Sequence, residues 1–184
     1  MKSLILFSVI ALLSVVASGQ VKISIGIKGG LNFSKLDVTG DTTSNKTGFH
    51  GGAFASFKFG KIGIQPEVIF SQQGSEINLK DWKSSYINIP IIIKYYLAAG
   101  LNLQVGPQFG FLGMAELDGV DKKDLMKSSD ISVALGVGWE ALFGLTFDAR
   151  YNMGVSNNND SGTQTIKNQV YQISIGFKII RLGK

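Results

Sequence analysis

Charged side chains are scattered singly through the apolar stretches of this sequence: Lys28, Lys58, Glu67, Lys94, Glu140, Asp148, Arg150 and Lys178. A charge confined among apolar groups is costly unless an opposite charge neutralises it. We therefore expect an internal ion-pair network in which the three carboxylates meet three of the cations: Glu67, Glu140 and Asp148 with Arg150, Lys94 and Lys28. Such a network either fills an enclosed space as a structural plug or passes a small ion or proton, and we favour the plug.

The single histidine is the residue most suited to acid–base chemistry. His50 has Ser34, Asp37 and Asp41 close to it in sequence. A histidine that is hydrogen-bonded to a serine and a carboxylate can act as a general base in acyl transfer. No spacing in the sequence enforces that arrangement, so we predict no catalytic residues.

The sequence offers little for a metal or cofactor. The acidic segment 118–124 lacks the ligand spacing and the terminal Glu of a calcium-binding EF-hand loop, and Lys122 and Lys123 interrupt it. Cysteine is absent, which excludes disulfides and thiolate metal sites. We predict no metal site and no cofactor.

The elements that carry these residues alternate apolar and polar side chains at every second position. This period predicts β-strands with one apolar and one polar face. The alternation recurs eight times, over residues 22–34, 49–59, 62–73, 86–95, 101–111, 131–140, 145–153 and 171–179. The sequence thus predicts an all-β, eight-stranded, antiparallel up-and-down barrel.

The composition of the two faces predicts which one is outside. The apolar faces are continuous Ile, Leu, Val and Phe, whereas the polar faces are rich in Gly, Ser, Gln and Asn. Only 17% of the residues are charged, fewer than a water-exposed surface would carry. An apolar exterior around a narrow polar lumen is typical of transmembrane barrels, so we predict an outer-membrane protein that contacts lipid. The alternative is a soluble, lipocalin-like barrel that binds an apolar ligand.

Short and long connections alternate along the chain. Short turns are predicted at Gly60-Lys61, Ala98-Ala99-Gly100 and Leu142-Phe143-Gly144, and the two three-residue turns end on a glycine, at the position that needs a left-handed residue. The other connections, 35–46, 74–83, 115–130 and 154–168, are predicted to be long external loops. Since short turns face the periplasm, both termini should lie there. Pro66, Pro90 and Pro107 fall within strands, where we expect bulges.

The N-terminal residues have the three-part pattern of a secretory signal. Lys2 precedes the apolar run 4–16, and Ala17-Ser18-Gly19 supplies small residues for cleavage. We predict a signal peptide over residues 1–19 and a barrel domain over residues 20–184. The net charge of +5 is dispersed rather than clustered, which argues against a nucleic-acid partner.

Several segments resemble the PorT-like outer-membrane β-barrel domain of Bacteroidota. The resemblance covers essentially the whole mature chain and rests on strand patterns rather than catalytic motifs. It therefore implies fold and location, and no activity. The matching segments are 26–34 (GIKGGLNFS), 65–68 (QPEV), 71–74 (SQQG), 86–90 (YINIP), 94–96 (KYY), 106–111 (GPQFGF) and 148–152 (DARYN).

The function that these observations favour is structural, adhesive or complex-forming. We expect it to act through the four external loops, with a closed, ion-paired lumen, and we expect any protein partner at those loops or on the periplasmic side. The lipocalin-like binder is the main alternative. A narrow pore and a lipid-modifying enzyme are weaker alternatives.

Overall fold

The computed structural model describes residues 21–38, 43–77, 80–117, 120–121, 129–155 and 166–183. The predicted signal peptide lies outside these residues. No helix in the described part of the chain is long and apolar enough to cross a membrane. The strands are β1 (Val21–Val38), β2 (Thr43–Phe59), β3 (Ile62–Ile77), β4 (Lys80–Tyr96), β5 (Leu101–Leu117), β6 (Val120–Asp121), β7 (Ser129–Glu140), β8 (Leu145–Gly154) and β9 (Ile166–Leu182).

Eight long strands form a closed antiparallel barrel, as the alternation predicted. Each strand pairs with its neighbours in sequence, β5 pairs with β7, and β9 closes the cylinder against β1. The two-residue β6 only extends the edge of β5, where it pairs with Glu116 and Leu117. Closure leaves no long unpaired edge along the wall of the barrel.

The apolar faces point outward, as predicted for a lipid-exposed wall. Exposed apolar side chains run from Ile25 to Phe33 on β1, from Ile87 to Tyr95 on β4 and from Leu101 to Phe111 on β5. These spans match the roughly 9–11 residues with which a tilted strand crosses a bilayer. We call this outer surface the apolar band. The alternate residues, mostly polar, are buried in the lumen.

The three short turns lie where the sequence predicted them. Gly60 has a φ of 58° in the two-residue link between β2 and β3. Gly100 has a φ of 85° and follows Ala99 at 53°. Glycine suits these left-handed positions because it has no Cβ to clash with the backbone. The Ala141 amide also donates to the Leu145 carbonyl at 2.8 Å, which closes the third turn.

The first two long loops were predicted wrongly, because most of their residues are strand. β1 continues to Val38 and pairs there with β9, while β3 and β4 remain paired up to Ile77 and Lys80. A polar strand above the membrane has no apolar alternation, so the sequence pattern missed it. We call the paired segments beyond the apolar band the outer strand extension: residues 34–38, 43–48, 71–77, 80–86, 112–117 and 166–170. β7 and β8, by contrast, end close to the band.

The predicted proline bulges are also absent from the described ladders. Pairing between β2 and β3 keeps one register on both sides of Pro66, since Phe54 pairs with Glu67 and Phe57 with Ile64. The register shifts lie elsewhere, for example between Ile25 and Gly26 of β1. The barrel therefore tolerates the missing proline amides without inserting a residue.

Candidate functional site

The centre of the lumen holds a buried arginine–glutamate pair. Arg150 on β8 faces Glu67 on β3 across the barrel, with its two terminal nitrogens 2.9 and 2.7 Å from the two carboxylate oxygens. Its Nε donates to the Gln104 side-chain oxygen at 2.6 Å. A two-point arginine–carboxylate pair is a strong and directional interaction. It fixes three strands that are not neighbours in the barrel wall.

A second ion pair, between Lys28 and Asp148, lies next to the first one. Lys28 Nζ on β1 lies 2.7 Å from Asp148 Oδ2 and 3.6 Å from Glu67 Oε1, so this lysine joins both carboxylates. Gln104 Nε2 donates to the other Asp148 oxygen at 2.6 Å. Lys94 Nζ approaches that oxygen at 3.8 Å and connects this level to the next.

Glu140 is the carboxylate of the network that lies nearest the short turns. Its Oε1 accepts from Lys94 Nζ at 3.0 Å and from the Tyr96 hydroxyl at 2.9 Å, and its Oε2 lies 2.5 Å from Lys178 Nζ. This carboxylate therefore accepts from two cations and one hydroxyl. It closes the lower end of the network against the water at the barrel mouth.

The structure thus brings together the six residues that were expected to form the ion-pair network, and Lys178, another of the eight charged residues, joins them. We call the whole set the charged half of the lumen: Lys28, Glu67, Lys94, Glu140, Asp148, Arg150 and Lys178. Four cations face three carboxylates, which leaves a net charge of +1. Lys58, the eighth residue of the sequence pattern, is not part of this set. Its ammonium lies 3.7 Å from the centroid of the Tyr96 ring.

Small residues on β7 make space for the charged side chains of β8. Gly138 pairs with Asp148, and Gly136 pairs with Arg150. A methyl group at Gly138 would overlap the Gln104 side-chain amide and lie 2.7 Å from an Asp148 carboxylate oxygen. The glycine on one strand therefore determines where the carboxylate on the next strand can sit.

The other half of the lumen centres on His50 and a group of uncharged side chains, and Asp130 is buried elsewhere in it, beside a small cavity. The ring Nδ1 lies 2.8 Å from Asn32 Oδ1, and Nε2 lies 2.8 Å from Ser174 Oγ. Gln172 also donates to Asn32, at 3.0 Å, and Asn32 donates to Ser71 at 2.9 Å. We call these five residues the neutral half: Asn32, His50, Ser71, Gln172 and Ser174.

The partners of His50 differ from those suggested by sequence proximity. Gly30 pairs with both His50 and Ser174, so the two side chains meet across a residue that has none. Ser34 instead donates its hydroxyl to the Lys46 carbonyl at 3.3 Å. The Asp37 side chain and Asp41 lie outside what the structure describes. Sequence separation hides Ser174, which is 124 residues away.

A serine, a histidine and an amide in this order resemble a nucleophile, its base and an orienting group. Asn32, His50 and Ser174 are each at most 4% exposed, however. A substrate cannot reach the Ser174 hydroxyl without opening the barrel. The arrangement acts as a hydrogen-bonded filling of the lumen, and it satisfies the buried ring nitrogens.

Two further observations describe what the lumen can hold. Across the described residues, no group of three His, Cys, Asp or Glu side chains is placed to bind a metal. Near the external end, a cavity of about 10 Å³ adjoins Asn88 and Asn152. That volume suits about one water molecule. Larger solutes have no room at this level.

Comparisons with known proteins agree with the barrel fold. Neisserial surface protein A superimposes with a TM-score of 0.60 at 14% identity, covering 85% of this chain and 99% of that protein. Ail, the attachment invasion locus protein of Yersinia pestis, gives 0.53 at 19% identity, covering 89% of this chain and 99% of Ail. No curated protein matches the sequence.

The family assignment comes from the sequence itself. The model of the outer membrane protein beta-barrel domain family matches residues 18–160, which is most of the chain. The fold, the apolar band and the short turns agree with that match. The chain therefore belongs to the outer membrane protein beta-barrel domain family and is located in the outer membrane.

Proposed function

We propose that this protein is a non-enzymatic barrel with an adhesive or complex-forming role at the cell surface. The observation that carries the proposal is the outer strand extension. β3 and β4 stay paired for about seven residues beyond the apolar band, up to Ile77 and Lys80. Ordered backbone above the membrane is a surface on which a partner can bind without first ordering a loop.

The filled lumen supports a role outside the barrel rather than through it. Its charged half is cross-linked by side chains from β1, β3, β4, β7, β8 and β9. An eight-stranded barrel has an interior that side chains fill, so no wide aqueous path is available. The plug also leaves no space for a lipocalin-like ligand in the centre of the barrel.

The similarity to Ail, an attachment invasion locus protein, makes adhesion the first role to test. That structure holds a heparin analogue, sucrose octasulfate. At 19% identity the likeness concerns the fold, so the ligand class of this chain has to be measured. We also propose that the chain is PorT-like and that it carries a signal peptide over residues 1–19. N-terminal sequencing of the mature protein tests the signal peptide, and its first residue should be Gln20.

The experiment compares the intact protein with a trimmed one. Ser34 pairs directly with Lys46, and Gln73 with Ser84. Replacing residues 35–45 and 74–83 with Asn-Gly would close both hairpins at those pairs, since Asn-Gly suits a two-residue turn. The trimmed barrel keeps its apolar band and its lumen network, so it should fold and insert.

Binding is measured with cells that display either form at equal surface density. We expect cells with the intact protein to bind host-cell or matrix surfaces, or a defined membrane partner after cross-linking, and trimmed cells to lose at least about 80% of that binding. A trimmed form that binds as well as the intact form would contradict the proposal. Loss of binding together with loss of insertion would be resolved by trimming one hairpin at a time.

A further inference from the structure

The short-turn end of the barrel contains a cavity that the lumen network does not fill. Its volume is about 880 Å³. Because short turns face the periplasm, the cavity opens on that side. The charged half of the lumen forms its floor through Glu140 and Lys178, which line it from above. We call it the periplasmic cup, and its lining includes Lys22, Lys58, Trp139, Leu142, Arg181 and Leu182.

The cup has an excess of positive charge. Lys22 pairs directly with Lys58 across β1 and β2, so two lysines line the same wall. Like charges at directly paired positions repel each other. Arg181 enters the same cavity from β9, where it pairs with Ser24. Among the described residues, neither lysine nor this arginine forms an ion pair.

The one carboxylate in the lining cannot neutralise these cations. Both oxygens of Glu140 are already engaged, by Lys94 and Tyr96 on one side and by Lys178 on the other. Lys58 lies against the face of Tyr96, and the Arg181 guanidinium donates to the Leu142 carbonyl at 2.7 Å. These contacts hold both cations in place without pairing either directly with a carboxylate, and the lining carries four cations against one carboxylate. The periplasmic cup is therefore suited to an anionic ligand.

The rim of the cup is apolar. Leu142 is 99% exposed at the tip of its turn, and Phe143 and Leu182 are also largely exposed. Trp139 is fixed beside them, since its indole nitrogen donates to the Ala99 carbonyl at 2.9 Å. Covering exposed apolar groups at this mouth with an apolar body lowers the free energy.

We infer that the periplasmic cup binds an anionic amphiphile, with its carboxylate or phosphate group among Lys22, Lys58 and Arg181. The short alkyl or aryl body of the ligand then covers Trp139, Leu142 and Leu182. The ion-paired floor stops the ligand at the mouth, so the cup is a receptor site and not the entrance to a channel. The ligand comes either from the periplasm or from an anionic phospholipid of the inner leaflet.

The test uses octyl phosphate as the probe and Trp139 as the reporter. A Trp82→Phe background leaves Trp139 as the only tryptophan, and the barrel is held in phosphatidylcholine nanodiscs. We expect a saturable fluorescence change. Octanol and inorganic phosphate should each bind at least about tenfold more weakly, because each offers half of the contacts. Octanol binding as tightly as octyl phosphate would overturn the role of charge.

The deciding variant is Lys58→Gln with Arg181→Gln, and Lys61→Gln is its matched control. Lys61 lies in a short turn at the same end of the barrel but does not line the cup. We expect the double variant to raise the Kd for octyl phosphate at least about tenfold and Lys61→Gln to change it less than about twofold. Equal weakening by both would show diffuse surface attraction and overturn the site.

Folding of each variant is checked by its mobility in gels without heating, and Arg181→Gln alone serves if the double variant fails to fold. Nanodiscs that contain phosphatidylglycerol then separate the two sources. If phosphatidylglycerol competes for the cup, the apparent Kd for octyl phosphate is higher in these nanodiscs than in phosphatidylcholine, and only when the cup is intact. This result supports a leaflet phospholipid as the natural ligand. An unchanged Kd supports a free amphiphile. Absence of any saturable signal with octyl phosphate contradicts the inference.

Discussion

The two halves of this lumen are both filled by side chains, but the chemistry of those side chains differs. The charged half near the short turns consists of seven ionised residues in one connected network, whereas the neutral half uses amides, hydroxyls and His50. Both are buried, and both connect strands that are not neighbours. In the charged half the contacts are between opposite charges, as between Glu67 and both Arg150 and Lys28. In the neutral half the contacts are hydrogen bonds between uncharged groups, as between His50 and Ser174.

This difference predicts how each half responds to a lost side chain. Removing one member of a buried ion pair leaves an uncompensated charge, which costs about 3–5 kcal/mol. Removing one neutral hydrogen bond costs about 1 kcal/mol. The charged half should therefore dominate the stability of the barrel. Equilibrium unfolding by urea of protein folded into lipid vesicles measures this directly.

The largest effect is expected from Glu67→Ala. The substitution leaves Arg150 without its two-point partner and weakens the hold on Lys28. We expect the free energy of unfolding to fall by about 3–5 kcal/mol. The double variant Glu67→Leu with Arg150→Met removes both charges and should recover most of that loss. A single and a double variant of equal stability would show that the pair is not what stabilises the centre.

The second-largest effect is expected from filling the space that the glycines of β7 leave for the charged half of the lumen. Gly138→Ala places a methyl group against Gln104 and Asp148, and overpacking of this kind costs about 1–3 kcal/mol. Gly51→Ala is the control, because its methyl group would meet only the Lys28 carbonyl at 3.8 Å. We expect Gly51→Ala to change the free energy of unfolding by less than about 0.5 kcal/mol. Equal losses would mean that the close approach to Gln104 and Asp148 does not explain the effect.

The smallest effect is expected in the neutral half, from Ser174→Ala. This substitution removes the hydrogen bond to His50 Nε2 and should cost about 1 kcal/mol. Because Ser174 is buried, we expect no esterase or acyltransferase activity in the wild-type protein with lipid or soluble ester substrates. Measurable activity that disappears in Ser174→Ala would contradict the structural interpretation and make this serine a nucleophile.

Much of the barrel could be predicted from the sequence because the strands obey a simple period. Alternation alone sorts Ile25 outward and Lys28 inward, and confinement of charge is enough to expect that Glu67 and Arg150 meet. The same period fails where the strands leave the membrane, since residues 71–76 carry no apolar side chain on either face. It also says nothing about pairs across the barrel. His50 and Ser174 meet because of the register of β1 with both neighbours, which no local pattern encodes.

The most direct test of the closed, ion-paired lumen is conductance across a planar lipid bilayer. With the purified wild-type barrel inserted at known density, we expect no discrete conductance steps above the bare membrane in 1 M potassium chloride, a salt level at which roughly 3 Å screening lengths weaken only exposed charges. Regular, reproducible steps from the wild-type protein would contradict the account, because ions would then be passing the Glu67–Arg150 level.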